Sequence, residues 1–238
     1  MSVAEPKDIL LLVLFGLSML IIQPGLLAQK PNHQITIAGG VQSSIALGQY
    51  SDQTDGTIFG FGGSFLVPTW RNSPFQIGFG YGWKQMRTDL ENGEAPKLHD
   101  GLSAGHHILE TTRHTFDALL RFNPFNGRVQ PFVEGVGGWS YYPTKSILDL
   151  HNTNGEVTEV EEQLLNEGSL NYGWGVGLQI RLVPHVFLEG KMQRIYATEK
   201  KVIERSSLNV ERDGSVNHDT LEVAPEFITL MAGLTIKF

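Results

Sequence analysis

The chain has no cysteine. That absence excludes disulfide frameworks, thiolate zinc sites, a cysteine nucleophile and a lipidated N-terminal cysteine. Charge is scarce as well, at 18% of residues, where ordinary globular chains carry about a quarter. Basic residues are in deficit: 18 Lys and Arg stand against 25 Asp and Glu, for a net charge of −7. A nucleic-acid binder working through a basic surface is thereby excluded. Beyond residue 28 no long apolar run occurs, which excludes a polytopic helical membrane protein. After Gln29 there is no convincing helical period either.

Glycine is abundant, 27 of 238 residues, against a usual share of about 7%. The N-terminus carries one apolar stretch, residues 9–22, broken by Pro24 and Gly25 and followed by Leu26-Leu27-Ala28 before Gln29. It is short for a membrane-spanning helix and has the form of an export signal cleaved after Ala28. The expected division is a signal peptide over 1–28 and a single β-domain over 29–238. One feature departs from the pattern, since Glu5 and Asp8 outweigh Lys7 where a positive start is usual.

From there on, apolar and polar residues alternate with period two, the mark of half-buried strands. In the segment 75–83, Phe75, Ile77, Phe79, Tyr81 and Trp83 share one face, and Gln76, Gly78, Gly80 and Gly82 the other. The C-terminal segment repeats this, with Ile228, Leu230, Ala232, Leu234, Ile236 and Phe238 on one face. The other segments fall at about 34–45, 57–67, 108–122, 129–142, 170–183 and 186–197, making eight strands. Their connections alternate in length. Those at 68–74, 123–128 and around Pro184-His185 are short and carry turn formers, whereas 46–56, 87–107, 143–169 and 198–226 are long. Short turns at one end and long loops at the other predict an all-β, eight-stranded, antiparallel up-and-down barrel.

Which face points outward separates a membrane barrel from a soluble one. The polar face is mostly Gly, Ser, Thr and Gln, with few charges, too few for a surface facing water. It suits a narrow lumen filled by side chains. The apolar face bears Phe75, Tyr81, Trp83, Trp139, Tyr141, Tyr172 and Trp174, several near strand ends where an aromatic girdle meets the membrane interface. Closing the sheet satisfies every backbone group without water, as lipid demands. A secreted, lipocalin-like soluble barrel is the alternative.

These features resemble the small outer-membrane β-barrels of Gram-negative bacteria, the OmpA/OmpX type. The resemblance rests on the terminal strand closing Leu234-Thr-Ile-Lys-Phe238 and on Val129-Gln-Pro-Phe-Val-Glu-Gly-Val-Gly-Gly-Trp139. It implies outer-membrane lipid as the surroundings. It also implies recognition of the last strand, through Leu234, Ile236 and Phe238, by the outer-membrane assembly machinery. Arg194 and His114 depart from the pattern, because both fall on the nominal lipid face.

Inside, the candidate lumen network is Lys84, Arg113, Asp117, Arg121, Glu134, Arg181, Glu189 and Lys191. A turn at Pro184 is expected to pair Arg181 with Glu189 and to bring Gln179 to Lys191. Asp117 is expected near Glu134, with Arg121 and Arg113 to neutralise them. Such a network is expected to plug the lumen, with a small pore as the alternative. Glycines 60, 62, 78, 80, 82, 173, 175 and 177 leave room for it on the same face.

His99, His106, His107 and His114 gather around the second long loop without chelating geometry, and Glu156, Glu159, Glu161, Glu162 and Glu167 lack EF-hand spacing. No metal or cofactor is expected. Lipid-modifying enzymes exist on this architecture, and Asp100, Ser103, His106 and His107 form the one nearby polar set, without a recognisable motif. Asn-Gly at 154–155 and Asp-Gly at 213–214 mark hairpins. Strands five to eight are therefore expected to rise past the membrane as ribbons, able to meet an extracellular partner through loops 143–169 and 198–226. The expected protein is a monomeric, non-enzymatic barrel of surface interaction or envelope integrity. The alternatives are a lipid A acyltransferase- or deacylase-like enzyme and a small pore.

Overall fold

A computed structural model describes residues 34–54, 57–71, 73–90, 103–151, 157–204, 207, 209–210 and 216–238. The expected signal peptide lies outside the described residues. In chain order the elements are β1 (Thr36–Leu47), the short helix α1 (Gln49–Asp52), β2 (Thr57–Pro68), β3 (Phe75–Leu90) and β4 (Ser103–Phe122). There follow β5 (Val129–His151), β6 (Val157–Val183), β7 (Val186–Ala197), β8 (Lys200–Ile203), β9 (Asn209–Val210), β10 (Val216–Asn217), β11 (Thr220–Val223) and β12 (Glu226–Lys237).

Eight of these close a barrel in the order β1-β12-β7-β6-β5-β4-β3-β2. Every neighbour pair is antiparallel. The seam joins the first and last strands from Thr36↔Lys237 to Leu47↔Glu226, with Gly40 facing Gly233 at its middle. A Cβ on Gly40 would stand 2.3 Å from the Ala232 carbonyl oxygen, so the two strands approach where only glycine fits.

The side chains are distributed inside out. Val41, Phe79 and Phe238 are 68%, 64% and 64% exposed, whereas Arg121, Glu189 and Glu134 are 0%, 1% and 3% exposed. An outer belt so apolar is unsuited to water, and the closed sheet around the charged interior leaves no edge unsatisfied in lipid. The fold is thus the eight-stranded, transmembrane type of barrel that the alternation predicts.

Aromatic rings pair across strands on the outer face. Towards the loop end, Phe61 stacks on Trp83 with centroids 5.1 Å apart, and Tyr172 on Tyr196 at 5.6 Å. Trp139 lies between Phe116, at 6.4 Å, and Tyr141, at 5.8 Å. Trp174 is exposed on the same face, opposite Arg194. At the turn end Phe75 meets Phe122 at 4.9 Å and Trp70 at 6.2 Å.

The two polar residues that depart from the pattern have local partners at the loop-end aromatic level. His114 Nδ1 lies 3.0 Å from the Tyr81 hydroxyl, between the Tyr81 and Tyr141 rings. The Arg194 guanidinium donates to the Glu226 carboxylate one strand away.

Strand β7 coincides with its expected span. Strands β4, β5 and β6 run well past theirs, because the β5–β6 ladder continues from Val129↔Ile180 to His151↔Val157 through one bulge at Thr144/Lys145. The ribbon expected from strands seven and eight takes another form. Strands β7 and β12 stop, and β8 and β11 pair as a separate two-stranded sheet whose Lys200, Val202, Ile203 and Val223 are buried at the barrel mouth.

Candidate functional site: a filled lumen

Four strands bring one ionic cluster to the barrel axis. Register places Arg121 of β4 directly opposite Glu134 of β5, and Gln179 of β6 opposite Glu189 of β7. Arg121 Nε and Nη2 donate to Glu134 Oε2 at 3.0 and 2.8 Å, while Nη1 and Nη2 reach Glu189 at 3.2 and 3.1 Å. The guanidinium plane also lies over the Phe132 ring, 3.9 Å from its centroid. Lys191 Nζ and Gln193 Nε2 donate to the other Glu134 oxygen at 2.9 and 2.7 Å. Glu189 accepts from Gln179 at 2.6 Å and from Thr235 of β12 at 2.7 Å. Two cations and two carboxylates therefore neutralise one another, with nearly every lone pair engaged, the condition under which a buried ionic group is retained.

The glycines make the space. A Cβ on Gly177 would lie 2.2 Å from Phe132 Cζ, one on Gly62 2.1 Å from Gln42 Nε2, and one on Gly82 2.6 Å from Thr115 Oγ1. Each faces a larger side chain from a neighbouring strand, so the smallness of one wall is filled by the bulk of the other.

Above this cluster, towards the loops, Lys84 Nζ donates to Thr229 Oγ1 at 3.1 Å, and Thr229 meets Ser44 at 2.8 Å. Arg113 Nη2 donates to Ser140 at 3.3 Å, and the Asp117 carboxylate accepts from Asn171 at 2.6 Å. At the turn end the Lys237 ammonium donates to Gln130, and Gln76 to Thr36 at 3.0 Å. An apolar course of Leu66, Leu119, Val136 and Ile195 lines the inner wall beside these layers.

The mouth is closed by a small hydrophobic core. Helix α1 turns Tyr50 inward against Phe227, with centroids 5.4 Å apart and the rings edge to face. Ala46, Ile58, Met86, Tyr142, Val202 and Val223 complete it. Lys200 Nζ stands 3.4 Å from the centroid of the Tyr142 ring and 5.0 Å from that of Tyr50. Burial, reinforced by the positive charge of Arg113, holds the Lys200 ammonium well below the usual lysine range, while Glu167 acts the other way. Burial likewise pushes the Tyr50 hydroxyl up. Three interior spaces bounded by described residues measure about 30, 30 and 20 Å³, on the order of one water each.

Several expected pairings are corrected. Arg181 does not meet Glu189, because the register is displaced by two residues. Arg181 faces Phe187 next to a bulge at Arg181/Val183, where the chain makes its two-residue turn. His185 takes a left-handed φ of 71° there, and its Nδ1–H donates to the Lys237 carbonyl at 2.8 Å. Arg181 ends exposed at the rim, donating to the Asn126 carbonyl at 3.0 Å. Gln179 accordingly meets Glu189, and Lys191 faces Gly177. Asp117 sits opposite Gly138 rather than beside Glu134, and Arg121 alone of the two expected arginines neutralises Glu134.

Sequence reading missed Tyr50, Phe132, Gln193, Lys200 and Lys237. Phe132, Gln193 and Lys237 lie on the inward parity of their strands and could have been found by following it. Tyr50 and Lys200 sit in connections, where period two has nothing to say. The side chains of Ser103, His106 and His107, with Asp100, lie outside those described.

Neither a protein-family profile nor a curated protein sequence matches the chain. Similar solved structures are outer-membrane barrels. Neisserial surface protein A is 15% identical, with a TM-score of 0.43, over 86% of this chain and 97% of its own. A major outer membrane protein from Thermus thermophilus is 13% identical, at a TM-score of 0.48, over 87% and 100%. OprG from Pseudomonas aeruginosa is 13% identical, at 0.45, over 90% and 99%.

Proposed function

We propose that the chain is a non-enzymatic outer-membrane protein whose barrel is a closed anchor and whose work is done above it, in surface interaction or envelope integrity. The observation that carries this reading is the pairing of a filled lumen with an overlong hairpin. The Arg121 cluster and the Tyr50 cap occupy the lumen at two levels, which supports a plugged barrel. Strand β5 meanwhile continues from Pro143 to His151 after its last aromatic, paired throughout with β6. At about 3.3 Å per residue that ribbon extends well past what a bilayer-crossing strand of about 9–11 residues needs. Its edges and tip, with the 198–226 connection, are the surface offered to an extracellular partner. At the other end of the barrel the connections 69–74, 123–128 and 184–185 stay short and add no comparable projection.

Two measurements test this. Cysteines placed at Asn154 and Gly214 should label with a membrane-impermeant reagent on intact cells, and one at Asn126 should not. Purified protein in planar bilayers should give no stable ohmic channel. Labelling of Asn126 alone would invert the orientation, and large steady conductance would make the chain a pore instead. Hydrolysis or transfer of lipid A acyl chains by purified protein, lost on replacing Ser103 or His107, would replace the interaction role with an enzymatic one.

A further inference from the structure

The central cluster is neutral, but the layer above it is not. Lys84 and Arg113 are 5% and 3% exposed, and among the described ion pairs neither is joined to a carboxylate. Both line one interior cavity of about 30 Å³, together with Ser64, Thr115, Asp117 and Lys191. Asp117 supplies one negative charge, held by Asn171, and Lys191 is already engaged by Glu134 at 2.9 Å. When Lys84 carries its proton, Lys84 and Arg113 against Asp117 leave one positive charge over.

Three of the described buried polar atoms that lack a protein partner belong to residues lining this cavity. Arg113 Nε and Nη1 and Ser64 Oγ are buried and without a hydrogen-bond partner in the protein. All three can donate, and an arginine cannot escape the cost by losing its proton. A buried cation with two unused N–H groups is expensive unless an acceptor meets it. The Arg113 guanidinium is fixed in place, 4.1 Å from the Phe227 ring centroid and bonded to Ser140, so it cannot turn away to find one.

We propose that this cavity is a binding site for one small monovalent anion, of the chloride or bromide class, held by Arg113 Nε–H and Nη1–H, the Lys84 ammonium and the Ser64 hydroxyl. The charge and the volume select the ligand together. One negative charge neutralises the layer, and a space on the order of one water suits a halide better than a bulkier phosphate or sulfate. The anion is a structural ligand of the folded barrel, seated below the Tyr50 core at the mouth. This inference concerns the lumen and stands or falls separately from the role of the surface loops.

The test uses the full mature barrel folded in detergent. Crystals grown in sodium bromide should show an anomalous peak within hydrogen-bonding distance of Arg113 Nε. Urea unfolding in chloride should show a higher midpoint than in gluconate at equal ionic strength, since gluconate is too large to enter. Above the dissociation constant, the folded-to-unfolded ratio should rise up to tenfold for each tenfold rise in chloride. Lys84→Met and Arg113→Met should each abolish that dependence. A water in place of bromide, or a chloride dependence equal in wild type and variants, overturns the proposal. Should either variant fail to fold, the wild-type anomalous peak and its chloride-against-gluconate midpoint decide the matter by themselves.

Discussion

Replacing Glu189 by alanine probes the lumen at its most connected point. The carboxylate accepts four hydrogen bonds from Arg121, at 3.2 and 3.1 Å, Gln179, at 2.6 Å, and Thr235, at 2.7 Å. Its removal leaves Arg121 and Lys191 sharing the single carboxylate of Glu134, one positive charge in excess, and strands the donors of Gln179 and Thr235. Breaking a buried pair costs about 3–5 kcal/mol. Arg121 keeps two bonds to Glu134, at 3.0 and 2.8 Å, so the lower end, about 3 kcal/mol, is expected. With a urea slope of about 1–3 kcal/mol per molar, the midpoint should fall by about 1 M or more. Arg181→Ala is the control: its side chain is exposed and bonded to a backbone carbonyl, and its loss should cost about 0.5 kcal/mol or less. Tryptophan fluorescence in detergent follows both. A double-mutant cycle of Glu189→Ala with Arg121→Met should show a coupling well above measurement error. An unchanged midpoint for Glu189→Ala, or an equal loss in Arg181→Ala, would refute the four-residue cluster as the fastening of the lumen.

Two further outcomes follow from the mouth and the terminal strand. Lys200 binds its proton less readily folded than unfolded, so stability should rise with pH from its depressed value up to the ordinary lysine value near 10.4. Lys200→Met should make the alkaline rise of the unfolding midpoint shallower, read up to about pH 9.5, below the ordinary tyrosine value near 10 at which Tyr50 begins to oppose the trend; an identical slope in wild type and variant rejects this. Phe238 is exposed on the belt and its N–H donates to the Ile35 carbonyl at 3.0 Å. Deleting it should lower the heat-modifiable folded fraction recovered from outer membranes, and a normal yield would remove the terminal strand from the assembly argument.

Alternation made the barrel legible because a strand shows its two environments residue by residue. In β3 and β12 nearly every odd–even contrast is present, and the inward glycines of β6 mark their own parity. Ion pairing was less legible, since it depends on where each hairpin turns. Reading the turn at Pro184-His185 as one residue longer than it is, and without the one-residue bulge at Arg181/Val183, displaced Arg181, Gln179, Glu189 and Lys191 together by two. The cap was hidden for a different reason. Tyr50, Tyr142, Lys200 and Phe227 are brought together only by closure, and no local period connects them.

The seam between β1 and β12 ties these features to the order of events in folding. Ser44 and Thr229 meet across it although 185 residues separate them in the chain, the kind of contact whose loop entropy must be met before it gives anything back. Until that seam zips, the lumen is a trough open to water, and Arg121, Glu134, Glu189 and Lys191 attract one another only as weakly as solvated ions do. Closure expels the water, brings Thr235 of β12 onto Glu189 of β7 and lets Tyr50 reach Phe227. The same charges then become a tight latch. A polar interior of this kind is weak while strands are still seeking partners, and so does not freeze a mispaired sheet; it grips only once the cylinder is complete.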